Sequence, residues 1–123
     1  MQLSGKGGFA PLFASLLLVA NPGAAYDAFE RTIPELQAAM ARGETTAVEL
    51  VRQYLARIEA FDRDGPKLNA MIHINPRAIE EAAALDRERA AGNIRGPLHG
   101  IPILLKDNYD THDMPTTAGA IAM

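Results

Sequence analysis

Five consecutive residues, Ile101-Pro102-Ile103-Leu104-Leu105, carry no polar side chain. Side chains alternate across a strand, so a strand with one wet face alternates apolar with polar residues, and this run does not. It therefore reads as a strand covered on both sides, as in the largely parallel sheet of an α/β fold. A second strand is expected over Asn69–Ile74 (NAMIHI), with Ala70, Ile72 and Ile74 on one face and His73 facing away.

Three helical patterns accompany these strands. The first spans about Ile33 to Arg42, with Thr32 as N-cap, Pro34 in the first turn and Glu35 completing a capping box. Its apolar stripe is Ile33, Leu36 and Met40, and Gly43 is its stop. The second starts at Thr46 with Glu49 as the capping partner. Leu50, Val51, Tyr54, Leu55, Ile58 and Phe61 recur at helical spacing, up to the break at Asp64-Gly65-Pro66. Asn75 followed by Pro76 predicts the start of a third helix, about Pro76 to Ala91, whose apolar content is mostly alanine and which ends at Gly92. Helices alternating with strands indicate α/β architecture. A strand covered on both faces needs neighbours, and two strands with three helices cannot supply them. Residues 26–123 are thus expected to be the opening part of a larger domain.

The first 25 residues read as a secretory signal peptide. Lys6 is the only charge before Asp27 and precedes the apolar run Phe9–Ala20, after which Asn21-Pro22 and the small residues Gly23, Ala24 and Ala25 follow. The run is too short to cross a bilayer, which takes about 20 apolar residues. No membrane span is expected once the signal is removed, and a periplasmic or secreted location follows. Loss of Lys6 takes the net charge from −3 to −4. No basic stripe with interleaved aromatics suits a nucleic acid. The chain has no cysteine, so disulfides and a thiolate nucleophile are both excluded.

Lys106 directly follows the buried strand, at the carboxyl end where open α/β sheets bind ligands. A lysine losing solvation there has its pKa lowered and can act as a base. On spacing alone the alternative is a solvated lysine that ends a strand, paired with Asp107. The loop Asp107, Asp110, His112, Asp113 offers three carboxylates and an imidazole. It lacks the glycine and terminal glutamate of a twelve-residue calcium loop, and it reads as a solvated acidic loop rather than a metal site. No cofactor is expected.

The string Gly96–Asn108 (GPLHGIPILLKDN), followed by Met114–Gly119 (MPTTAG), resembles the start of the amidase signature family. The upstream segments TTAVELVRQYLARIEAFD and LNAMIHINPRAIEEAAALDRE are similar to the usual lead-in, so the resemblance covers roughly Thr32 to Met123. It implies helices packed on a mixed, largely parallel sheet, incomplete in this chain. It also implies hydrolysis of amide bonds by a Ser–Ser–Lys triad, with Lys106 as the base. In such enzymes a neutral lysine deprotonates a bridging serine, which activates the nucleophilic serine, and backbone amides of a glycine-rich loop hold the oxyanion. The chain has only Ser4 and Ser15, both ahead of residue 26, so by itself it is expected to be inactive. Ala120 stands where relatives usually have serine, which puts one polar contact in doubt. The family chemistry needs no imidazole, so His99 reads as a structural turn residue. Substrates of the family are small-molecule or peptide amides, fatty-acid amides, or glutamine in transamidation. Export sets the tRNA-linked glutamine role aside, since that work is cytosolic. A reading of a different class is a non-catalytic exported binding module that keeps a hydrolase scaffold. The oligomeric state is not legible.

Overall fold

The computed structural model describes residues 25–120; the expected signal sequence lies almost wholly outside them. Three α-helices form: α1 (Ile33–Ala41), α2 (Ala47–Arg57) and α3 (Ala78–Ala90), with α2 running on into a π-helical turn over Ile58–Arg63.

Both expected capping boxes are present. The Glu35 N–H donates to Thr32 Oγ1 at 3.4 Å, while the Thr32 N–H donates to Glu35 Oε2 at 2.8 Å. At α2 the corresponding distances are 3.1 and 3.0 Å, from the Glu49 N–H to Thr46 Oγ1 and from the Thr46 N–H to Glu49 Oε2. The two N–H groups that Thr46 cannot reach are taken by α3. Asp86 accepts from Ala47 at 2.8 Å and from Val48 at 3.1 Å. Every free amide of the first turn of α2 is thereby satisfied, and the acidic side chain also sits at the positive end of the helix.

Helix α1 ends in a Schellman motif. The Gly43 N–H donates to Met40 O and the Glu44 N–H to Ala39 O, with Gly43 at φ +70, a conformation glycine adopts without strain. The same pair of bonds closes α3, from Gly92 to Arg89 O and from Asn93 to Glu88 O. The start of α3 differs from the expectation. Asn75 Oδ1 accepts from the Arg77 N–H at 2.8 Å, which builds a separate turn, and the helix begins at Ala78 with no side-chain cap.

The core is small: Ala28, Leu36, Met40, Leu50 and the alanines Ala39, Ala47 and Ala82. Full burial of one leucine such as Leu50 contributes about 2 kcal/mol. Ala82 lets α3 lie close against α2, as its alanine content suggests. Of the expected apolar faces, Ile33 and Phe61 are exposed, and Val51, Tyr54, Leu55 and Ile58 are half-buried. Phe61 instead shares the Arg57 guanidinium with Phe29, at 5.4 and 4.5 Å from the ring centroids.

The expected sheet does not form among the described residues. Neither Asn69–Ile74 nor Ile101–Leu105 is a strand. A strand exists by pairing, and neither segment bonds to the other through its backbone. Nor is the apolar run covered on both faces, since Ile103, Leu104 and Leu105 are 59%, 72% and 50% exposed.

Candidate functional site

Two anchors bring the segments of the site together. The first is Asp62, buried in the π-helical turn. Its Oδ1 accepts from the N–H groups of Ala70 and Met71. The adjacent Arg63 donates to Met71 O at 2.8 Å. Residues 70 and 71 are thus held by the π-helical turn that continues α2.

The second anchor fixes the turn that leads into Ile101. Gln37 Nε2 donates to Pro97 O at 2.8 Å and to His99 O at 2.9 Å, and Arg89 donates to His99 O at 2.9 Å and to Gln37 Oε1 at 2.7 Å. His99 is buried. Its Nε2 lies 2.9 Å from Leu85 O and its Nδ1 3.3 Å from the Arg95 N–H. A carbonyl only accepts, so the proton is on Nε2 and Nδ1 is the acceptor. His99 fills the structural turn role expected of it. Gly100 follows at φ +77, and a Cβ there would stand 3.1 Å from the Ala47 Cβ. Both the backbone conformation and the space call for glycine.

Between these anchors lies an open cavity of about 500 Å³. Residues 70–73 form one side, residues 104–109 the other, and Met114, Pro115, Ala118 and Gly119 close the end. Lys106 lines it. Its side chain is exposed and has no hydrogen bond or ion pair among the described residues, Asp107 included.

Asp107 is engaged elsewhere. Its carboxylate accepts from the Thr117 N–H at 3.2 Å, from Thr117 Oγ1, and from the Gly119 N–H at 3.2 Å. Its carbonyl accepts from the Ala118 N–H at 3.1 Å. The Thr117 hydroxyl bond is the main cause holding the Asp107 carboxyl below the usual carboxylate range, with the Thr117 and Gly119 amides and the charge of His73 adding to it against partial desolvation. The acidic loop is therefore used internally. Asp110 Oδ1 accepts from Thr116 Oγ1 at 3.4 Å, and no group of three metal-ligating side chains forms among the described residues. Ala120 is exposed, and its N–H donates to Thr117 O at 2.8 Å.

Sequence reasoning missed Asp62, Asp86 and the carboxylate role of Asp107. For Asp107 a signal existed: Thr116-Thr117-Ala118-Gly119 is a donor-rich turn ten residues away. Nothing local marks the other two.

A family profile described as Amidase matches residues 49–123. A glutamyl-tRNA(Gln) amidotransferase subunit of Thermobifida fusca is 47% identical over 87 residues, 70% of this chain and 17% of that protein. Among solved structures, the native peptide amidase of Stenotrophomonas maltophilia superposes with a TM-score of 0.75 at 52% identity, over 77% of this chain and 20% of its own. An amidase family protein of Bacillus anthracis gives 0.70 at 43% identity, over 74% and 18%. The chain spans between 17% and 20% of the length of these relatives.

Proposed function

The chain belongs to the amidase family, and from that membership we propose that it supplies the base-bearing first part of an exported amide hydrolase. The observation that carries this reading is Lys106 at the wall of the cavity, in a segment 52% identical to a peptide amidase. Lys106 is the base of a Ser–Ser–Lys triad whose serines belong to parts of the domain outside these residues. Within residues 25–120 Lys106 is exposed, so the desolvation that favours a neutral lysine must come from those further parts packing over the cavity. The segment by itself is inactive, because residues 26–123 contain no serine to acylate.

The substrate is a small-molecule or peptide amide. Relatives of similar identity include both a peptide amidase and an amidotransferase component. Export, read from Lys6 and the apolar run to Ala20, favours the first. Expression in a bacterial host with sequencing of the mature N-terminus checks this. A start at Tyr26 is expected, and retention of residues 1–25 counts against export.

The base assignment is tested in the full-length protein. Lys106→Ala should abolish phosphonylation of the nucleophilic serine by a fluorophosphonate probe, and labelling at the wild-type rate would remove Lys106 from the triad.

A further inference from the structure

The backbone at Lys106 is firmly held while its ammonium is not. Lys106 O accepts from the Tyr109 N–H at 3.0 Å, and the next carbonyl, Asp107 O, accepts from Ala118. A base on a flexible four-carbon stem is only as well placed as the backbone that carries it. All three carboxylate contacts of Asp107 reach across the loop to Thr117 and Gly119, and Ala118 and Gly119 line the end of the cavity.

We infer that Asp107 is a positioning residue for Lys106: it ties the backbone that carries the base to the turn at Thr117–Gly119, which closes the end of the cavity. The inference rests on Lys106 being the base. The role is geometric rather than a charge opposite the lysine, because Asp107 makes no ion pair with Lys106 and both carboxylate oxygens face the Thr117–Gly119 turn. Without the carboxylate, three donors of that turn would lose their shared acceptor at once. Ala118, at φ +50 in a region that non-glycine residues seldom occupy, would lose the support that keeps it there. Thr117 N–H, Thr117 Oγ1 and Gly119 N–H all donate to the one oxygen Oδ2, so asparagine with its amide oxygen in that place keeps the shared acceptor and most of the clamp while removing the charge.

The test follows phosphonylation of the full-length protein by a fluorophosphonate probe, with active sites counted by the final labelling amplitude. Asp107→Ala should lower the limiting labelling rate per counted site by about 100-fold, the scale of a misplacement near 1 Å, with little change in the half-saturating probe concentration. Asp107→Asn should restore most of that rate. A role confined to stability would reduce the number of active sites and leave the rate per site intact, and that result overturns the proposal. So does an Asp107→Asn as slow as Asp107→Ala. Should Asp107→Ala fail to fold, Thr117→Val removes one contact and should slow labelling on the order of tenfold, and a wild-type rate there overturns the proposal equally. Lys106→Ala run alongside separates the two readings. If it labels normally, the base assignment and this inference fall together. If it is silent while Asp107→Ala labels normally, only the positioning role falls.

Discussion

At the scale of single residues, carboxylates do most of the joining. Asp62, Asp86 and Asp107 each accept from at least two backbone N–H groups of a distant segment. Such contacts carry a pH signature. The Asp107 carboxyl is held down in the folded chain, so the stability it contributes is fully present above the unfolded carboxylate pKa of about 4 and is lost as pH falls through the lower folded value. Amide exchange at Thr117 and Gly119 should therefore accelerate on acidification below about pH 4, beyond the intrinsic pH trend. Thr117 and Gly119 in Asp107→Asn should lose that extra acid response. Lys106 became legible only through the long string around it. The partners of Asp62, Asp86 and Asp107 were not legible, since a carboxylate on a surface pattern looks the same whether it faces water or an amide 8 to 39 residues away.

At the scale of elements, the helices were readable because their ends are written locally. Thr32 with Glu35, Thr46 with Glu49, and the stops at Gly43 and Gly92 all act within a few residues. The strands were not readable in the same way. The apolar content of Ile101–Leu105 records what the segment is built to meet, and pairing requires a neighbour that residues 25–120 do not provide. The junction of α2 with α3 offers a sharper test than either capping box. Asp86→Ala frees two amides at the start of α2 and should cost about 1–2 kcal/mol in urea unfolding of the full-length protein, whereas an effect near zero would mean that water replaces the carboxylate without loss.

At the scale of the whole molecule, seven buried apolar residues among those described, four of them alanine, support a large exposed apolar surface that includes Ile72, Ile103, Leu104 and Leu105. Residues 26–123 alone should melt broadly and bind a dye specific for exposed apolar surface. A sharp, cooperative transition without dye binding would instead favour the self-sufficient binding module. The clasp of α1 on the turn at residues 97–99 has a consequence for the order of synthesis. Gln37 finds its partners 60 and 62 positions later in the chain. On a ribosome adding about 5–20 residues per second, that separation amounts to roughly 3–12 s. A nine-residue helix is marginal by itself, so until then α1 leans on α2, where Leu36 and Met40 pack with Leu50. The nascent chain passes through those seconds with Gln37 still unclasped, a window in which a holding chaperone can engage it before the turn at residues 97–99 docks.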